Sequence, residues 1–259
     1  MSRNLIVHGV PGSQPTRAVC WTCLIKDLPF ELKPIDFSPT GREPLLELNP
    51  TGQMPTIEDG DFVLYEMPAI LTYLCEKHGW SDLLPSDLQT RARVNQYLHF
   101  HHNWTRRLSE DLMAPHVIVA VLDQMRDAEH LSHIVERAMA PDKLARGHKT
   151  ALRVAGLIEA GYFSDGARYL CTPEPSIADI ACYEEVAQLR WAGLFDFEEF
   201  PRLTGWLDVM RELPCHDEVH LYNTTLGDIQ SQPNTQERLI SAMSAGVAAL
   251  ADAGVHVQN

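Results

Sequence analysis

Apolar positions recur first at a period of two. Leu5 and Val7 mark a strand over Asn4–His8, and the run Gly9–Gly12 breaks it. From Pro15 the period becomes helical, with Ala18, Trp21, Ile25 and Leu28 on one stripe. Alternation returns over Phe30–Ile35, where Pro34 marks an edge or the end of pairing. Glu43–Leu48 reads as a short helix. Thr56–Glu58 and Phe62–Tyr65 flank Asp59-Gly60, a hairpin signal. Glu66–His78 is helical again, with Ile70, Leu71 and Leu74 on one side and Gly79 as its stop. The order β-α-β, then α-β-β-α, fits parallel strands joined by a right-handed crossover, with a hairpin added to the same sheet. That is a thioredoxin-like order.

After a linker containing Pro85 the strand signals nearly vanish. Helices are expected over 87–113, with Val94, Leu98, His101, Leu108 and Leu112 on one side, and over 117–139, 143–163, 177–191 and 201–213. Helical spacing returns over 239–250. The expected fold is an α+β thioredoxin-like domain followed by an all-helical bundle domain. Its expected divisions are 1–80, a linker over 81–89, helices over 90–226, and an extension over 227–259 that could cover a site.

Composition narrows the class. The 259 residues are 45% hydrophobic and 22% charged, an ordinary globular balance. A net charge of −14 argues against a nucleic-acid partner, because phosphate is repelled by such a surface. No run of 18 apolar residues predicts a membrane span, and Met1–Asn4 leads into a strand rather than a signal-peptide core. Six scattered cysteines fit a reducing compartment better than a disulfide framework, so a cytoplasmic protein is expected.

The stretch GSQPTRAVCWTC, residues 12–23, carries two competing chemistries. Cys20 and Cys23 have the C-x-x-C spacing of dithiol redox proteins. Ser13 has the position of a helix N-cap, a role worth about 1 kcal/mol, from which a hydroxyl and the positive helix end could face a ligand sulfur. Cys20 lies roughly 8 Å down that helix at 1.5 Å per residue. The dipole effect has faded there, so the thiols are expected to be inert and the helix start to belong to Ser13.

Other segments offer weaker signals. Met54-Pro55 precedes a strand. A cis bond there would free the Met54 backbone to pair with an extended peptide, although cis is only ~5% of such bonds and a plain loop proline is the alternative. Glu66 and the Met67 N–H stand at a helix start, suited to a carboxylate and an amine, or to simple dipole compensation. Ser176 and Asp179 have capping-box spacing. His99 and His102 are spaced to share a metal, but no carboxylate or thiolate is locally paired with them, so no metal is expected. Arg106 or Arg107 could reach a cleft and hold an anion.

Taken together, SQPTRAV, LPFEL, NPTGQMPTIEDGDFVLYE, AILTYL, DLQTRARVNQYL with TRR, and SIADI resemble cytosolic glutathione S-transferases, specifically the theta class, over most of residues 4–213. The resemblance implies a homodimer that uses glutathione as co-substrate, without metal, against a small-molecule electrophile. It makes Ser13 the catalytic serine and pairs Met54 and Pro55 with the cysteinyl backbone. Glu66 and Met67 fall at the γ-glutamyl end, and Arg107 or Arg106 at the cleft. Arg42 and Gln53 are candidates for the glycyl carboxylate; the loop over 36–48 looks shorter than in theta relatives. Val10, Arg106, Met113 and His116 are candidates for the electrophile wall. One departure stands out: the family has Glu-Ser where this chain has Glu66-Met67. A lost charge-assisted hydrogen bond costs about 1.5–3 kcal/mol, roughly tenfold to over a hundredfold in affinity. That leaves a second expectation, a binding or regulatory protein on the same fold, and a third, a disulfide oxidoreductase using Cys20 and Cys23.

Overall fold

The computed structural model describes residues 5–36, 41, 43–117, 132–163 and 166–258. Strand β1 (Leu5–His8) leads into α1 (Gln14–Ile25) and β2 (Phe30–Lys33). Then come α2 (Glu43–Leu48), the hairpin β3 (Thr56–Asp59) and β4 (Phe62–Tyr65), and α3 (Met67–His78). β1 runs parallel to β2 and antiparallel to β3, which pairs antiparallel with β4. Pairing of β2 with β1 ends at Lys33, one residue before Pro34, where a missing N–H would have interrupted it.

A helical region follows. α4 spans 88–117: Leu88–Phe100, Arg106–Leu108 and Ala114–Val117 are α-helical, and the turns His101–Thr105 and Ser109–Met113 are π-helical. α5 (Ser132–Met139), α6 (Lys143–Gly161), α7 (Ile177–Trp191) and α8 (Pro201–Met210) come next. Most of the helix expected over 117–139 lies outside the described residues. Ser176 and Asp179 form the expected capping box at the start of α7, and Asp179 also accepts from the Leu170 N–H and the Trp206 indole.

Two elements were not anticipated. α9 (His216–Leu226) starts from Cys215, whose φ of 58° is left-handed. α10 (Gln236–Asp252), longer than the expected 239–250, feeds a fifth strand, β5 (His256–Val257). β5 pairs parallel with β2, so the sheet order is β4-β3-β1-β2-β5 and β2 is not an edge. The expected linker is also packed: Leu83 and Leu84 are buried, and the Leu83 carbonyl accepts from the Ile177 N–H at 3.0 Å. One continuous apolar core joins Val7, Trp21 and Ile57 of the sheet region to Ile180, Tyr183 and Trp206 of the helices.

Candidate functional site

Strand register gathers the sequence-predicted segments at one end of the sheet. His8 of β1 pairs with Thr56 of β3, and Thr56 pairs with Tyr65 of β4. The residues just beyond these three belong to the Gly9–Ser13 loop, to Pro55, and to Glu66. Three distant parts of the chain therefore emerge side by side.

Ser13 is the N-cap of α1. Its backbone is extended (φ −86°, ψ 118°), its N–H donates to the Val10 carbonyl at 3.0 Å, and its Oγ accepts from the Thr16 N–H at a long 3.4 Å. Such a bond is at the weak end of the range, which leaves the hydroxyl proton and lone pairs available to a ligand. The half-buried hydroxyl sits where the first-turn N–H groups of a 12-residue helix have no intrahelical partners.

The Met54-Pro55 bond is cis. Its loop is organised by Asn49, buried at 1% exposure, whose amide donates to the Gln53 carbonyl at 2.9 Å and to Thr56 Oγ1 at 3.1 Å. The Asn49 Oδ1 accepts from the Thr51 N–H and hydroxyl. Gln53 itself is exposed. Val10, Ile35 and Leu45 form a small apolar cluster with Met54 and Met243, which ties the Ser13 loop to the cis bond and to α10.

Glu66 adopts φ 71°, a left-handed conformation that costs a non-glycine residue about 1–3 kcal/mol and concentrates at functional positions. Its side chain is exposed and caps nothing. Met67 points into the main core at 4% exposure, so only its backbone faces the helix start. The core contact is a packing reason for methionine at this position. Arg42 lies outside the described residues.

The structure separates the two arginines. Arg106 is half-buried, and its Nη1 donates to Gln14 Oε1 at 3.1 Å and to Glu185 Oε1 at 3.0 Å, which brings it against the residue after Ser13. Gln14 in turn donates to Gln188 on α7 at 2.6 Å. Arg107 is exposed and its Nε donates to the Asn103 carbonyl, one turn back on its own helix. Met113 is buried in the core, and His116 is half-buried with Nδ1 donating to the Leu112 carbonyl at 2.9 Å.

The cysteine pair is inert by environment. Cys20 and Cys23 are buried and unbonded, and burial pushes the Cys20 thiol up to about 12 and raises Cys23 as well. Among the described residues, no group of three or more His, Cys, Asp or Glu could hold a metal, and no helix is long and apolar enough to cross a membrane.

Several residues that shape the site carried no sequence signal. Arg17 is buried at 1% and pairs with Glu184, and Glu185 pairs with Arg106. Read along the chain, Glu184-Glu185 looks like an ordinary charged helix turn; both are buried. Burial alone would raise the Glu184 carboxyl, but Arg17 and His220 outweigh it and hold it below the usual range. Glu185 ends above the usual range because burial outweighs Arg106 and Ser109. From the far end of the chain, α10 lies on the Ser13 loop. A Cβ on Gly12 would come within 2.7 Å of Met243 Cε, and one on Gly246 within 2.7 Å of Pro11 Cβ.

Comparison with known proteins gives the same answer at every level. The glutathione S-transferase N-terminal domain family matches residues 7–82. Human glutathione S-transferase theta-2B is 31% identical over 202 residues, covering 75% of each chain. Human glutathione S-transferase theta-1 is 32% identical over 197 residues, covering 75% of this chain and 77% of its own. Among solved structures, human glutathione transferase theta-2 in complex with glutathione and an unknown ligand superposes with a TM-score of 0.72 at 25% identity, over 96% of this chain and 99% of that one. Human glutathione S-transferase T1-1 in its apo form gives 0.71 at 25% identity, over 95% and 100%. The chain belongs to the glutathione S-transferase family, and within it to the theta class.

Proposed function

We infer that the protein is a glutathione transferase in which Ser13 activates the thiol of glutathione for attack on small electrophiles. The observation that carries this reading is the lightly engaged Ser13 hydroxyl at the start of α1, beside the cis Met54-Pro55 bond and the strained Glu66. In this scheme the extended tripeptide pairs with the Met54 backbone, its α-amine meets the uncapped Glu66 carboxylate, and its γ-glutamyl carboxylate takes the Met67 N–H. Gln53 and Arg42 serve the glycyl carboxylate. Arg106 is assigned to the electrophile side together with Val10 and His116; Arg107, turned back onto its own helix, and Met113, buried in the core, are the weaker candidates. The α10 helix closes the site from above.

A free thiol has a pKa near 8.5, so only a few per cent is thiolate at pH 7. A donated Ser13 hydrogen bond and the helix end lower that value. A shift of about two units is worth ~2.7 kcal/mol and makes most of the bound thiol nucleophilic. The thiolate then forms the C–S bond as the electrophile's leaving group departs or its double bond takes up a proton, and the product is a thioether. Holding the electrophile in line with sulfur supplies the rest of the acceleration. The free cysteines support a reducing, cytoplasmic setting, and the family supports a homodimer.

One observation favours the second reading, a binding protein with little turnover. The Met67 side chain is committed to the core, so no side-chain hydroxyl stands at that position. The test is a panel of electrophiles with glutathione, run on wild type and Ser13→Ala, with calorimetry of glutathione binding. Wild type is expected to bind glutathione and conjugate, and Ser13→Ala to bind within a few-fold while kcat/KM falls by roughly tens-fold, the gain in thiolate that a two-unit shift supplies. Binding with no product from any electrophile would favour the second reading. Equal conjugation by both forms would remove Ser13 from its role.

A further inference from the structure

Ser13 stands on a four-residue turn, and something must fix the aim of its hydroxyl. One end of the turn is closed by its own backbone, through the Ser13 N–H to Val10 carbonyl bond. The Pro11 carbonyl is held from inside the protein by Arg17, whose Nη1 donates to it at 2.8 Å.

Arg17 is an expensive residue to place there. Its side chain is 1% exposed, and a buried guanidinium costs several kcal/mol unless it is paired and its donors are met. Nε donates to Glu184 Oε2 at 2.6 Å, and Nη2 to the Glu184 carbonyl at 3.4 Å. Glu184 is equally buried, and its other carboxylate oxygen meets His220 Nε2 at 3.0 Å. His220 Nδ1 lies 2.6 Å from the His216 carbonyl, so both ring nitrogens face acceptors. The imidazole is thereby fixed in orientation, and it fixes the carboxylate. Glu184 belongs to α7 and His220 to α9, so the bracket on the turn is supplied by the helical half of the chain.

We propose that Arg17, braced by Glu184 and His220, is a positioning residue for Ser13: it pins the Pro11 carbonyl and so sets where the Ser13 hydroxyl points. This rests on the reading of Ser13 as the thiol-activating group. The experiment uses the full chain saturated with glutathione and titrates the bound sulfur by thiolate absorbance, alongside kcat and KM for glutathione. The variants are Arg17→Lys, Glu184→Gln and His220→Gln, with Ser13→Ala run in parallel. Glu184→Gln is expected to raise the ionisation midpoint of the bound thiol by about one unit and to lower kcat at pH 7 about threefold, with KM changed by less than about twofold. Arg17→Lys, whose single amine cannot reach Glu184 and Pro11 together as a planar fork does, is expected to show the same sign. His220→Gln keeps a donor towards Glu184 and is the mildest change; it carries the test if the other two fail to fold, with a smaller shift in the same direction. A role confined to stability would lower the melting temperature and leave the midpoint where it is. Wild-type midpoint and kcat in the folded variants, with Ser13→Ala shifted, would overturn the positioning role alone. An unshifted Ser13→Ala would instead bring down the reading on which it rests.

Discussion

His101 sits in the middle of α4 at 3% exposure, and neither ring nitrogen has a hydrogen-bond partner among the described residues. Glu185 Oε1 is the nearest acid at 3.7 Å from Nε2, too far for a hydrogen bond. Burial, helped by the charges of Arg106 and His102, lowers its pKa from 6.5 to about 3. The unfolded chain therefore binds a proton between about pH 3 and 6.5 that the folded chain refuses. Stability from this group is complete above pH 6.5 and is lost as pH falls below it. His101→Leu removes both the orphaned nitrogens and the titration. The expectation is a variant more stable than wild type by about 1–3 kcal/mol at pH 7.5, with an advantage that widens towards pH 4.5. Melting curves over that range decide it; a variant that is less stable and runs parallel to wild type would show that the ring's packing outweighs its polarity.

The same residue scale explains what the sequence could tell. The Ser13 cap and the helix start after Glu66 were legible because each is defined by its immediate neighbours, a serine before Gln-Pro and an acid at a helix start; the cis bond at Met54-Pro55 followed from the family resemblance, since a proline before a strand is ordinarily trans. Gln14, Arg17, Glu184 and Glu185 were not, because each owes its role to a partner 79 to 174 positions away. A charged pair inside a helix reads as surface until the fold says otherwise. The choice between Arg106 and Arg107 needed the helix phase at a π turn, which apolar spacing alone does not supply.

Among the elements, α10 and its strand show most clearly what periodicity misses. The helix was visible in its spacing, but β5 is two residues long and offers no alternation to detect. α9 was hidden because Pro214 reads as a stop and the first turn is polar. Yet both helices bear on the loop that carries Ser13, through Met243 and Tyr222 against Gly12 and Gly246 against Pro11. The closeness of that contact gives a paired prediction from one chemistry. In helix interiors, Gly→Ala ordinarily gains about 0.8–1 kcal/mol. At Gly205 in α8 a Cβ meets nothing within 4 Å among the described residues, so Gly205→Ala is expected to raise the melting temperature. At Gly246 the added carbon would lie 2.7 Å from Pro11 Cβ and 3.1 Å from Tyr222 Cβ. Gly246→Ala is expected to cost about 1–3 kcal/mol despite the same propensity gain, and to loosen the loop that carries Ser13. Thermal melts of the two variants should move in opposite directions. A stabilised Gly246→Ala would mean that α10 yields freely and does not press on the site.

For the whole molecule, the order of elements was readable because a sheet region and a helical region differ in period, but their interdependence was not. The division expected near residues 80–90 leaves open whether the thioredoxin-like unit stands alone, and the contacts tie it to the helices. Trp21 is fully buried, lies 5.4 Å from Tyr183 ring to ring, and donates its indole N–H to the Pro214 carbonyl at 2.8 Å. Arg17 finds its carboxylate on α7, and β2 finds its outer neighbour in β5, near the far end of the chain. Cutting after residue 86 would expose the tryptophan, strand a guanidinium without its acid, and uncover the edge of β2, which favours aggregation. Residues 1–86 expressed alone are therefore expected to give a collapsed amide spectrum or to aggregate, while the full chain melts in a single transition by both tryptophan fluorescence and circular dichroism. A fragment with a well-dispersed spectrum and cooperative melting would show that the sheet region needs nothing from the helices, and would weaken the case that α7 and α9 set the geometry around Ser13. The coupling matters for chemistry as well as folding. If the turn bearing the hydroxyl is held from across the core, substitutions on α7 or α9 far from any ligand should reach the sulfur through Arg17, and the helical region would tune reactivity as well as select the electrophile.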